Sequence, residues 1–230
     1  VDLSPNRSLP SSSSVVVVVR ALANAMGVPQ PMVFLDNTLT DEVVAHAGTS
    51  PALIIGRRIG AAPFGPAARD TIGRALLRLV TGGDALHEIE PSRIVALLVA
   101  VTSAVGVDVE APEQLDWDYA STFAEALPAP DVLAELRECA AAFASTVGDF
   151  DPATLLRSLR LAEDRAGAVC AADPRPALAR IESTGELEHV RGRMLIGYLV
   201  SDDHLTLRRS LGYQADFHAA RRSVEHEARA

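Results

Sequence analysis

The chain contains no lysine: all 21 of its basic residues are arginine. A Gly-x-x-x-x-Gly-Lys phosphate loop is therefore excluded, because its lysine is what reaches the phosphates. Aromatic residues are only 4% of the 230 positions, while hydrophobic residues reach 48%. The core must then be built from Ala, Leu, Val and Ile, a composition that suits helices packed closely through small side chains. Basic charge is also scarce. At a net charge of −9 the chain has no footprint for nucleic acid, which needs a basic face against the phosphates. The pairs Arg57–Arg58, Arg208–Arg209 and Arg221–Arg222 are too scattered to supply one. The arginine bias reads either as the coding bias of a GC-rich bacterial genome or as guanidiniums selected for bidentate anion recognition.

Cysteine is rare as well. Cys139 and Cys170 are in neither a Cys-x-x-Cys nor a zinc-type spacing, so both read as small buried hydrophobes in a reducing, cytoplasmic compartment. The longest apolar run, Ile94–Val107, is about 14 residues, short of the roughly 20 that a spanning helix needs. No basic-then-apolar opening marks a signal peptide. There is no Gly-x-Ser-x-Gly elbow for a serine nucleophile. Residues 1–14 are a Pro/Ser-rich leader without an initiator methionine, expected to be a linker with further sequence before it.

What the chain does contain is a change of period. A helix over Val15–Met26 is expected between Ser14 and Gly27, although five consecutive valines favour a strand by propensity. Met32–Leu35 and Ala52–Gly56 read as strands, with a shorter one at Val43–Ala45. Helices follow over Pro66–Val80, a buried Pro91–Val105, Asp116–Leu127, Asp131–Ser145, Asp151–Val169, Pro174–Ser183, Met194–Val200 and Asp202–Leu211. The expected fold is α+β and mostly helical, with a small N-terminal sheet followed by a helical bundle. Residues 15–213 read as one domain and 214–230 as a charged helix or tail.

Within Pro66–Val80 stands Ile72-Gly73-Arg74-Ala75-Leu76-Leu77-Arg78, and later Arg160-Leu-Ala-Glu-Asp-Arg-Ala-Gly167. The order of elements resembles zincin-like metallopeptidases of the CAAX prenyl endopeptidase type. In these, a His-Glu-x-x-His helix and a later Glu-x-x-Ala-Asp-x-x-Gly helix hold zinc and its catalytic water. By that resemblance Arg74 and Arg78 stand at the histidines, Ala75 at the catalytic glutamate and Arg160 at the third ligand. Asp164 and Gly167 keep the motif. The chain is similar to degenerate domains of this kind that follow tetratricopeptide repeats in bacterial proteins, whose tails resemble Tyr198–Tyr213. Arginine has no lone pair for a metal, so the resemblance implies a pseudopeptidase with no catalytic residue, no metal and no cofactor. Its expected role is protein binding or scaffolding, with a protein or peptide partner or its own longer chain. The expected binding edge is Ala52, Leu53, Ile54, Ile55, Arg57 and Arg58, which would take an extended peptide by β-augmentation. Asp164 would either pair with Arg74 or Arg78, or leave those arginines pointing to solvent. An enzyme with an unrecognised site and an oligomerisation domain built on Pro91–Val105 stay open.

Other chemistry-bearing residues have plainer readings. His87-Glu88 runs into Glu90-Pro91 and reads as a solvated turn. Asp202-Asp203-His204 reads as a helix cap, since consecutive residues rarely converge on one ion. Glu186, Glu188 and His189, and likewise Glu225, His226 and Glu227, read as solvated charge. Gly56, Gly60 and Gly65 around Arg57-Arg58 read as turns. Trp117 and Tyr119 read either as a surface recognition patch or, as expected in an aromatic-poor chain, as anchors of a loop on the core.

Overall fold

A computed structural model of the chain describes residues 8–48, 50–82, 84, 89–111, 115–127, 134–186, 189–210 and 212. Among them are ten α-helices and one three-stranded sheet, so the protein is mostly helical with a small N-terminal sheet. The chain divides into two compact units, one drawn from 1–83 and 161–230, the other from 84–160.

In the first unit, helix α1 (Ser14–Met26) forms despite its valines because Val15, Val16, Val18, Val19, Leu22 and Ala23 all fall on one buried face. Burial of that face outweighs strand propensity. Gly27 ends the helix in the left-handed region at φ 68°, where its N–H turns back to Ala23 and Asn24 carbonyls. The sheet comprises β1 (Met32–Asp36), β2 (Val43–His46) and β3 (Ala52–Gly56), in the order β1-β3-β2. β3 runs parallel to β1 and antiparallel to β2. Within the leader, Leu9 reaches this sheet: its N–H donates to Val33 O at 2.9 Å.

The expected peptide-binding edge is corrected here. Ala52, Leu53, Ile54 and Ile55 form the central strand, hydrogen-bonded on both sides and buried throughout. An unbroken apolar run fits a strand covered on both faces, and the pairing with β1 on one side and β2 on the other places this one at the centre. Arg57 and Arg58 leave the strand altogether and open a short helix, α2 (Arg57–Ala61), where both are exposed. A Cβ on Gly56 would lie 2.5 Å from Thr40 O, so this glycine admits a crossing backbone.

Helix α3 (Pro66–Val80) starts on Pro66 and buries Ala68, Ile72, Ala75, Leu76 and Leu79 in the core shared with α1 and the sheet. Helix α7 (Pro152–Ala171) meets it at a very short distance. A Cβ on Gly73 would lie 2.7 Å from Cys170 Cβ, and one on Gly167 would lie 2.8 Å from Arg74 Cγ. The unit is completed by α8 (Arg175–Ser183), α9 (Val190–Leu199) and α10 (Asp202–Ser210), with Ala168, Ala177, Ile181 and Leu195 forming a second cluster.

In the second unit, α4 (Pro91–Ala104) buries Ile94, Ala96, Val99, Ala100 and Thr102. It packs with α5 (Trp117–Ala126) and α6 (Arg137–Ala144). Asp116 caps α5 by accepting from Tyr119 N–H at 3.0 Å. Two expectations change. Cys139 is exposed, and Cys170 alone of the pair is buried. Trp117 is 59% exposed, whereas Tyr119 packs on the cluster with Arg93 over its ring. The helix expected from Asp131 begins in the short turn Ala134–Leu136 among the described residues. His87, Glu88, Glu188 and the 214–230 segment, with His218 and His226, lie outside them.

Gly73→Ala is expected to destabilise the protein by about 1–3 kcal/mol, because the added methyl overpacks a contact between two helices. Gly197→Ala, where a Cβ meets nothing within 4 Å, is expected to stabilise it by roughly 0.5–1 kcal/mol through helix propensity. Urea denaturation of both variants checks the pair.

Candidate functional site

The residues at the peptidase-motif positions on α3 are not idle. Arg74 and Arg78 are one turn apart on one face, and both reach Glu163 of α7. Arg74 Nη2 lies 3.3 Å and Arg78 Nε 2.9 Å from Glu163 Oε2. Asp164, the next residue, points to other partners. Arg180 of α8 donates Nη1 to its Oδ1 at 2.7 Å. Arg191 of α9 grips it with two donors, Nε to Oδ2 at 2.6 Å and Nη2 to Oδ1 at 3.0 Å. This fork-on-fork geometry is the strong form of the guanidinium–carboxylate pair. Arg74 Nε lies 3.8 Å from Asp164 Oδ1, which joins the two halves. Asp70 completes the set, its Oδ2 3.4 Å from Arg180 Nε, and Glu186 accepts from Arg191 at 2.5 Å.

Burial sets the electrostatics. Asp164 is 0%, Glu163 1% and Asp70 3% exposed, while the arginine side chains are partly exposed. Desolvation raises the Asp70 carboxyl above its ordinary value, against the pull of Arg180 and Arg74. Asp70 Oδ1 is a buried atom with no hydrogen-bond partner among the described residues, consistent with that direction. Burial also lowers the Arg74 guanidinium, with the Arg180 charge adding to the effect. The hydrogen bonds to Asp164 hold Arg191 above its ordinary value. Burial pushes the nearby Cys170 thiol up to about 12, so it is inert as a nucleophile at neutral pH.

The arrangement decides between the two readings of Asp164 and corrects the partner. Arg74 and Arg78 are paired, chiefly through Glu163, which stands at the alanine of the resembled motif. Asp164 belongs mainly to Arg180 and Arg191. Ala75, which the resemblance alone sets against a catalytic glutamate, is 2% exposed in the apolar core. Arg160 is exposed and falls in the second unit. Sequence reasoning missed Glu163, Asp70, Arg180 and Arg191. The spacing Asp70-Arg74-Arg78 at four-residue intervals was a local signal that charge shares one helix face. Nothing local to Arg180 or Arg191 announced them.

The zinc implied by the resemblance does not fit these residues. Guanidiniums offer donors only, and Glu163 Oε2, both oxygens of Asp164 and Asp70 Oδ2 already accept from them. Among the described residues no cluster of three or more His, Cys, Asp or Glu could hold a metal. Asp202 and Asp203 are exposed while His204 is buried, so that triplet does not converge; Ser201 Oγ accepts from His204 N–H at 3.3 Å and caps α10. A cleft of about 160 Å³ between α1, Phe64 and Arg69 is lined by apolar side chains and that one arginine, with no general acid or base. Comparison of the chain with protein-family models, with curated proteins and with solved structures finds no match.

Asp164→Ala is expected to cost roughly 3–5 kcal/mol, since it leaves Arg180 and Arg191 partly buried without their counter-charge. Asp70→Asn behaves oppositely. With its folded pKa raised above the ordinary 3.8, Asp70 contributes stability that is full below that value and is lost as pH rises through the folded one. Asparagine removes this loss, so Asp70→Asn is expected to be at least as stable as the parent at pH ~7 and less stable relative to it at pH ~3. Guanidinium-chloride unfolding at the two pH values reads both effects.

Proposed function

We propose that the chain is a non-catalytic, zincin-like module that serves in protein binding or scaffolding. One observation carries this reading: the helix face that would present zinc ligands instead presents Arg74 and Arg78, locked to Glu163 on the facing helix. A charge network closed in this way has no open coordination position and no base aimed at a substrate. What it does supply is fixed geometry between four helices, which is what a scaffold requires. With Ala52–Ile55 enclosed in the sheet, augmentation on that strand is withdrawn. A partner would instead engage exposed helical surface, either on another protein or on a longer form of this chain.

The purified protein, expressed and assayed in zinc-supplemented medium, is expected to contain well under one zinc per chain by elemental analysis. It is also expected to show no thermal shift with added Zn²⁺. Stoichiometric zinc, or cleavage of a peptide library that disappears on chelation, would overturn the reading. Crosslinking of the full-length gene product, read by mass spectrometry, is expected to join this module to another protein or to distant parts of its own chain. Crosslinks confined to the module itself would count against a scaffold.

A further inference from the structure

Helix α10 is held by a titratable residue. Of its nine residues, all described, His204 alone is buried. His204 is 3% exposed, and its Nδ1 is enclosed with no hydrogen-bond partner among the described residues. It stands edge-on to Tyr198 of α9, with centroids 5.0 Å apart and planes at 75°. Arg165 of α7 lies over the same tyrosine ring at 5.2 Å. Arg208, one turn further along α10, donates Nη2 to the Ala172 carbonyl at 2.6 Å.

The charged groups around His204 can be taken element by element. From α10 itself come Arg208 and the exposed Asp202 and Asp203. From α9 comes Tyr198 and from α7 comes Arg165. Between α7 and α8, Asp173 acts on Arg208 and not on the imidazole. The neutral ring suits this place, because it packs edge-on against Tyr198 and can leave the enclosed Nδ1 as a bare lone pair. The imidazolium does not. It would set an N–H at the enclosed Nδ1, add a cation beside Arg208, and put positive charge in the first turn of a helix, where the dipole opposes it. The two aspartates are solvated and compensate little.

We propose that α10 is a pH-responsive flap, docked on Tyr198 through neutral His204 and released when that imidazole is protonated in mildly acidic solution. Burial and the Arg208 charge hold the His204 pKa below its ordinary value. Docking is therefore complete above about 6.5, the ordinary histidine value. It weakens as pH falls towards the docked-state value, by up to about tenfold per pH unit. Release uncovers the Tyr198 face beside the Ala177, Ile181 and Leu195 cluster. This device is independent of whether the module is catalytic.

Hydrogen exchange of the intact protein, read by mass spectrometry and corrected for intrinsic rates, tests it. Protection of amides in 203–210 is expected to fall between pH 7.5 and 5.0, by up to about tenfold per pH unit below about 6.5, while amides of α3 keep theirs. In His204→Phe, which keeps the aromatic contact without the charge, the fall is expected to disappear. The imidazole of His204, followed by NMR, is expected to titrate below about 6.5, and in Arg208→Gln to titrate at higher pH than in the parent. A flat parent profile, the same fall in His204→Phe, loss of α3 protection in step with α10, or an unshifted titration would each overturn the proposal.

Discussion

A carboxylate removed entirely from solvent needs hydrogen-bond donors around it, and Asp164 is in that position. Its donors come from Arg180 and Arg191, on two helices that follow it in the chain. Satisfying this one side chain therefore fixes where α8 and α9 lie against α7. Glu163 does the same towards α3 through Arg74 and Arg78. Adjacent residues on a helix point about 100° apart, so the Glu163-Asp164 pair reaches helices on two sides of α7. The network is worth less as raw stability than as geometry, because desolvation offsets much of the attraction in a buried pair. Its consequence is that few other arrangements of these helices leave every charge with a partner.

The close approach of α3 and α7 follows from the same requirement. Gly73 and Gly167 bring the helices near enough for side chains on one to be enclosed by the other, and Gly167 sits directly against Asp70 and Arg74. A larger residue at either place would hold the helices apart and admit water to the ion pairs. In an aromatic-poor core this is how tight packing is achieved, with small residues and short contacts in place of large rings. The same packing leaves α10 as a lightly attached element, since its one buried side chain is the histidine that rests on Tyr198.

Much of the architecture was legible beforehand. The helix ends at Gly27 and Pro66, and the three strand positions, came from local signals: a left-handed cap, a proline at a first helical position, and short apolar runs between turn residues. Strand order was not legible. The run Ala52-Leu-Ile-Ile resembles an edge as readily as a centre until its neighbours are known, and it proved central. The candidate site was half legible. Arg74, Arg78 and Asp164 were singled out, but the acid that closes on the arginines is Glu163. Two further arginines arrive from helices about 15 to 30 residues away in sequence, with no local mark of their role.

The sequence by itself determined that the α3 positions cannot hold zinc, since a guanidinium has no lone pair to give in any fold. It also determined the class of fold, because hydrophobic period and turn residues are local properties. Only the tertiary structure decided which acid meets which arginine, that β3 lies inside the sheet, and that His204 is buried while its two aspartate neighbours are not. Those outcomes depend on the distance and burial of groups far apart in the chain, which no local pattern encodes.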